Sequence, residues 1–207
     1  MKIYFDIIPR MGVEQADLKD LFDSVHERLK TSLSPRIIII DNNANIPLVR
    51  YKDTPWFGLP GGKVKEKEAV EDANFLSTGA YPTLIREVKE ECRIDISDSL
   101  RVASCLGVAE IGIVDSVKRV VNYSLSPIFV CRREGLSDVN NDTQLFNLRS
   151  YLPGPIFPDA RLAIRVLKDS IRTKKGPIQP AWLNDGRVIY FEMKPQMRLL
   201  MEPPNWL

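Results

Sequence analysis

A chain of 207 residues with 44% hydrophobic and 27% charged side chains has the makings of one globular domain with additions, which excludes a disordered or fibrous protein. Its formal charge of +2 is too small for wrapping nucleic acid or lying on an anionic membrane. No apolar run approaches the roughly 20 residues a bilayer demands, and a single histidine, His26, removes histidine triads and histidine-rich zinc sites from consideration.

In chain order, residues 2–8 read as a strand without the apolar core and cleavage site of a signal peptide. Residues 13–31 carry Leu18, Leu21, Phe22, Val25 and Leu29 at helical spacing, with His26 beside that stripe. After Ser34-Pro35, the run Arg36 to Ile40 is a short β-branched strand of the kind that is buried. Asp41 to Asn45 is a turn, and Ile46 to Tyr51 is expected to return as its hairpin partner. Trp56 to Gly62 leads from a strand into a tight loop, and a helix follows from about Pro82 to Cys92.

Residues 101–114 and 119–132 alternate as strands joined near Asp115-Ser116, Gly135 to Thr143 is a polar loop, and Phe146 to Leu152 is a short strand. Asp159 to Ile171 is a second amphipathic helix. Lys174 to Pro177 marks a boundary, and Asn184-Asp185-Gly186 is a turn before a strand at 187–193. The tail after 177 holds Trp182, Tyr190, Phe191, Met197, Met201 and Trp206, too apolar for a free arm, so it is expected to pack as a hairpin on its own domain or on a second subunit. The irregular mixture of elements predicts an α+β fold with a mixed sheet between helices. Three cysteines without a CxxC pair read as small buried hydrophobes in a reducing compartment, and the expected location is the cytoplasm.

The chemistry concentrates in the first of these helices. On a helical wheel Leu84, Ile85, Val88 and Cys92 share a core-facing sector, while Glu87, Glu90 and Glu91 share another at i, i+3 and i+4. Three acids together repel one another unless a cation lies among them. Upstream, Gly61-Gly62 offers bare backbone for close approach to a ligand, and Glu68 follows six positions after Gly62. Oxygen donors of this kind suit Mg²⁺, which keeps several waters and accepts substrate phosphate oxygens.

Taken together, Gly62, Glu68, Arg86, Glu87, Val88, Glu90, Glu91 and Ile94 resemble the signature of the Nudix hydrolases, G-x5-E-x7-R-E-U-x-E-E-x-G-U with U aliphatic. Two departures stand out. Residues 69–85 number 17 where the family has 7, placing about ten extra residues (Val70 to Gly79) before the helix, and Arg93 occupies the signature's last glycine. An inserted surface loop costs little free energy. Arginine in place of a left-handed glycine implies a different helix exit or a modest strain.

The resemblance implies an α/β/α sandwich over residues 36–173, with an N-terminal strand-helix extension at 1–35 and a C-terminal extension at 174–207. It implies Mg²⁺, with Mn²⁺ as a substitute, bound by Glu87, Glu90, Glu91 and the Gly62 carbonyl and supported by Glu68, with Arg86 orienting Glu87. The implied reaction is hydrolysis of the pyrophosphate bond in a nucleoside diphosphate linked to another group. Glu91 is the first choice of general base, and Glu110, Asp115, Asp138 and Asp142 are alternatives. Tyr51, Trp56, Tyr123 and Phe157 are candidates for stacking on a base. The implied partners are a nucleotide-type small molecule and a second copy in a homodimer, with no stable nucleic acid and no membrane. Two other readings compete: a nucleotide-sensing module with weak or lost turnover, and an interaction domain whose acids are surface charges.

Overall fold

The computed structural model describes residues 32–52, 54–65, 79–100, 103–136, 139–152, 154–173, 181–183, 187–194, 197–200 and 202–205. The strand read at 2–8, the helix at 13–31 with His26, Glu68 with most of the inserted loop, Asp138, the boundary at 174–177, the turn at 184–186 and Trp206 lie outside these residues.

The described residues begin with two short segments, β1 (Ser32–Leu33) and β2 (Arg36–Ile40), followed by β3 (Asn45–Arg50) and β4 (Phe57–Gly58). Helix α1 (Tyr81–Cys92) and the single turn α2 (Ser97–Leu100) precede the long strands β5 (Ser104–Asp115) and β6 (Val120–Arg132). Strand β7 (Thr143–Asn147), helix α3 (Pro158–Thr173) and the tail strands β8 (Ala181–Trp182), β9 (Ile189–Lys194) and β10 (Arg198–Leu200) complete the order. Among the described residues no helix is long and apolar enough to cross a membrane.

The large mixed sheet is built on the antiparallel pair β5–β6, with a bulge between Cys105 and Gly107. β1 and β2 run parallel to β6 along one edge, while β8 and β9 run parallel to β5 along the other, with β10 antiparallel to β9 outside it. A smaller sheet takes the order β4-β3-β7. Ile37 and Ile39 join α1 residues Leu84, Val88 and Cys92 in one core, whereas Ile38 and Ile40 join Ile46, Leu48, Ala160, Ile164 and Leu167 in the other. That alternation puts α1 on one face of the sheet and α3 with the small sheet on the opposite face, an α/β/α sandwich of α+β class.

The hairpin expected between 36–40 and 46–51 does not form. β2 pairs in parallel with β6, and β3 crosses to the small sheet, where it meets β4 and β7. The reason is in the composition of β2. Four consecutive isoleucines need burial on both faces, which a parallel position under two layers supplies and a two-stranded hairpin does not. The turn itself is real: the Asp41 carboxylate accepts from the Asn43 and Asn45 N–H groups at 2.9 and 2.7 Å. It redirects the chain between sheets.

A second correction concerns β7, which spans Thr143–Asn147 rather than 146–152. It is an edge strand paired with β3, with Gln144 and Leu145 exposed, so its apolar pattern is weak. It stops where the Asn147 side chain accepts the Arg149 N–H at 3.0 Å and bends the backbone into a turn. The three cysteines are free and buried, and burial pushes each thiol up to about 12.

Residues on both sides of the extension boundaries belong to the large sheet. β1 adds to β6, and Phe191 of β9 lies fully buried in the core beneath α3. The tail packs as a hairpin of β9 and β10 against the chain's own sheet.

Candidate active site

The acids of α1 reach their positions because the helix is anchored at its C-terminal end. Leu84, Val88 and Cys92 bury one stripe, and the Thr143 hydroxyl of β7 donates to the Glu91 carbonyl at 2.8 Å. Arg93 closes the helix at φ 59, ψ 25, with its N–H donating to the Lys89 carbonyl at 3.1 Å. The left-handed exit of the signature glycine is therefore kept, at the expense of placing a side chain where it is strained.

Opposite the helix, the two peptide groups flanking Gly61 are each held by a side chain. The Gly61 N–H donates to Glu91 Oε2 at 3.0 Å, and its carbonyl accepts from Arg36 Nη1. Gly61 has φ +138, and a Cβ there would lie 2.2 Å from the Pro35 carbonyl, so only glycine fits. Gly62 is required for a different reason: a Cβ on it would meet Glu87 Oε1 at 2.2 Å. The double glycine is thus a pair of close approaches, one to the backbone at 35–36 and one to the Glu87 carboxylate.

Arg86 gathers two of the acids. Its Nη1 lies 2.6 Å from Glu87 Oε1 and 3.4 Å from Glu90 Oε2. Glu90 is the outlier of the three, with a side chain 59% exposed. Glu91 is the opposite case. Burial above all, and then the Glu87 and Glu90 charges, push its carboxyl up to about 7, against the opposing pull of the Gly61 N–H and the Arg36 guanidinium.

Glu87, Glu91, Gly61 and Gly62 open on a cavity of about 910 Å³, within the size range of small-molecule sites. Arg36 and Asp159 line it too; Arg36 Nε stands 3.9 Å from Asp159 Oδ2 at the start of α3. Tyr51 and Phe157 form one wall, their ring centroids 4.6 Å apart. Trp56 does not line this cavity; its ring packs edge-on against Phe157 and Phe191 in the core. Tyr123 borders the cavity, but its ring pairs with Tyr190 at 6.5 Å.

Of the alternative bases, Glu110 is buried on β5 away from this cavity, and burial raises its pKa. Asp115 caps the β5–β6 turn by accepting the Val117 and Lys118 N–H groups at 3.1 Å. Asp142 is exposed before β7. Neither of these two lines the cavity, and Asp138 lies outside the described residues.

The donor set fits a hard divalent cation in kind. Glu87 and Glu91 are carboxylates converging on a backbone turn, and part of the upward push on Glu91 is repulsion from its two neighbours, which a cation would relieve. Among the described residues no three such groups stand close enough to form a complete metal shell, because Glu90 turns to Arg86. Two carboxylates with waters and phosphate oxygens are nevertheless a usual Mg²⁺ environment.

Sequence reasoning missed Arg36, Asp159 and the distinct role of Gly61. The only local signal was a cation opening an otherwise apolar strand. Its meaning depends on the isolated antiparallel bridge between Arg36 and Gly61, a contact across 25 positions.

No family model and no curated protein matches the chain. Solved structures do. A mutator MutT protein from Bacillus halodurans superposes with TM-score 0.52 at 16% identity, over 83% of this chain and 99% of its own. A NUDIX hydrolase from Alicyclobacillus acidocaldarius gives TM-score 0.48 at 12% identity, over 74% of this chain and all (100%) of its own. A MutT protein from Methanosarcina mazei Go1 gives TM-score 0.47 at 16% identity, over 72% and 98%. With the mixed sheet between helices and Glu87 and Glu91 of α1 facing the double glycine, the chain has the Nudix fold.

Proposed function

We propose that this chain is a Mg²⁺-dependent hydrolase that cleaves the pyrophosphate bond of a nucleoside diphosphate linked to another group. The observation that carries the reading is the convergence of Glu87 and Glu91 on the Gly61-Gly62 turn at the mouth of a ligand-sized cavity. Glu87, Glu90 and Glu91 would hold the metal with a glycine carbonyl of the turn and with Glu68, and Mn²⁺ would substitute. The bound ion would supply Lewis-acid polarisation of the diphosphate and a lowered pKa for attacking water.

The chain's own residues have defined tasks in this reading. Arg86 orients Glu87 and, more loosely, Glu90. Glu91 and Arg36 fix the two peptide planes that flank Gly61, one each. Arg36, Lys52 and Lys63 place positive charge around the cavity for the phosphates. Glu91, whose carboxylate stands on the Gly61 N–H at the cavity, is the proposed acceptor of the attacking water's proton. Water adds to one phosphorus, the bridging oxygen leaves with the other, and two monophosphate-bearing products result. Tyr51 and Phe157 offer a stacking wall to the base.

The reading carries with it a cytoplasmic protein acting on a small nucleotide, and the net charge of +2 is in keeping with no stable hold on nucleic acid. A nucleotide-sensing module with weak turnover is the second reading. It is favoured by one observation: each acid is already engaged by the chain itself, Glu91 by Gly61 and the other two by Arg86. The test is incubation of the purified chain with Mg²⁺ or Mn²⁺ and a broad panel of nucleotides. Release of a monophosphate from at least one diphosphate-linked compound is expected. Tight binding without consumption would favour the sensing module, and no product from any compound would end the hydrolase reading.

A further inference from the structure

The wall of the cavity away from the acids has its own chemistry. Asn122, Ser124 and Ser126 follow one another along one face of β6, opposite Ile113, Ile111 and Ala109 of β5. Ser32 on β1 lies in register with Ser124, and Ser34 follows it. These five polar residues and both isoleucines line the cavity. This wall is split lengthwise, half short polar groups and half apolar methyl surface, and its charge is confined to the Arg36 end.

The hydroxyls divide into two kinds. Ser32 Oγ donates to the Tyr123 carbonyl and Ser124 Oγ to the Ser32 carbonyl, both at 3.3 Å, which ties β1 to β6. Ser34 and Ser126 are 8% and 1% exposed, and their hydroxyls bond to no other described residue; nor does the Asn122 side chain. Both hydroxyls border the cavity, placed to donate to or accept from something that enters it.

We infer that this wall is a hydroxyl-reading subsite, and that the group joined to the nucleoside diphosphate is a sugar ring. The inference rests on the diphosphate reading of the same cavity. A sugar has alternating donors and acceptors around its edge, which short hydroxyls and an amide can meet in either sense, and a C–H face that suits Ile111 and Ile113. A second nucleobase would find no aromatic surface on this wall, because the Tyr123 ring pairs with Tyr190 and the stacking pair Tyr51–Phe157 stands elsewhere. A cationic group would find no carboxylate here. The cavity's charged groups begin at one end of the wall, where Arg36 follows Ser34 by two positions and meets Gly61, and the diphosphate would lie at that end.

The test is calorimetric titration of the full chain in EDTA with UDP-glucose and ADP-glucose against UDP and ADP, so that binding is read without turnover. The hexose-linked ligands are expected to bind about three- to tenfold more tightly than the bare diphosphates, the equivalent of one or two net hydrogen bonds. Ser126→Ala and Ser34→Ala, each removing a single oxygen, are expected to abolish most of that gain and leave UDP and ADP unchanged. If either variant fails to fold by its melting curve, Asn122→Ala at the exposed rim replaces it. Equal affinity for linked and bare diphosphates, no measurable binding of either, or equal losses for both in the variants overturns the inference. Its failure is separable from failure of the hydrolase reading. Metal-dependent cleavage without any sugar preference removes the subsite alone, and sugar preference without cleavage removes the hydrolase alone.

Discussion

Glu91 on α1 and Glu192 on β9 are both withdrawn from solvent, yet their surroundings treat a negative charge in opposite ways. Glu192 is held by the Ser116 hydroxyl and by Arg198 Nε at 2.6 Å, and those two partners lower its pKa. Glu91 has one backbone N–H and a nearby arginine, against burial and two neighbouring acids, and its pKa rises to about 7. Glu192 is electrostatically satisfied within the chain. The helix-loop site is not, and a region left under electrostatic tension inside a cavity is where a cation and a phosphate have something to gain.

The largest effect should separate these two carboxylates. Glu91→Gln is expected to lower turnover by about two to four orders of magnitude, the range for losing a positioned acid–base group, while the protein stays folded. Glu192→Gln should do the reverse, leaving turnover near wild type while lowering the melting temperature, because Ser116 and Arg198 lose their charged partner. Rates with any cleaved nucleotide, set beside thermal melts of both variants, decide the matter. Full activity in Glu91→Gln would move the chemistry elsewhere.

A smaller effect distinguishes the same pair by pH in metal-free protein. Between its ordinary value near 4.5 and its folded value near 7, Glu91 keeps a proton in the folded chain that it has lost in the unfolded one. Stability from this group therefore falls as pH rises through that window, by something on the order of 1–3 kcal/mol, and is level above it. Glu192, with a lowered pKa, works in the other direction: its contribution is present above the ordinary carboxylate range and lost as pH falls through its folded pKa. Denaturant melts should show greatest stability near pH 5, and Glu91→Gln should remove the decline between about pH 5 and pH 7. A decline that survives in the variant would mean that Glu91 is not its source. Mg²⁺, if bound there, must displace the proton and should bind more weakly below pH 7.

These contrasts also mark how far the amino-acid order can be read. Helix α1, the pair β5–β6 and α3 were legible because each satisfies its own periodicity: Leu84, Val88 and Cys92 must share a stripe whatever surrounds them. The pairing of β2 was not legible. Four isoleucines announce burial but not which strand lies alongside, and parallel pairing with β6 spans some 90 positions. The site divides in the same way. The clustering of Glu87, Glu90 and Glu91 and the i,i+4 pair of Arg86 with Glu90 follow from helix geometry, whereas the seat of Arg36 on Gly61 and the serine wall arise only when β1, β2 and β6 come together. Trp56 illustrates the general hazard, since an aromatic beside a site loop serves the core as readily as a ligand.

The smallest predicted effect lies at the end of α1, and it asks whether the site's one departure from the signature glycine matters to chemistry or only to stability. Arg93 sits at φ 59, ψ 25, where an ordinary side chain costs about 1–2 kcal/mol. Glycine removes that strain but loses more backbone freedom on folding, by roughly 0.5–1 kcal/mol. Arg93→Gly should therefore stabilise the chain by only about 0.5–1 kcal/mol, or a rise of about 1–4 °C in a domain of this size. The Arg93 side chain is exposed and absent from the cavity, and the N–H that closes the helix on Lys89 is kept in glycine. Turnover should stay within about twofold of wild type. A melting temperature that falls instead would show that the arginine side chain makes a stabilising contact outweighing its backbone strain. A large change in rate would show that the helix exit governs how Glu90 and Glu91 are presented.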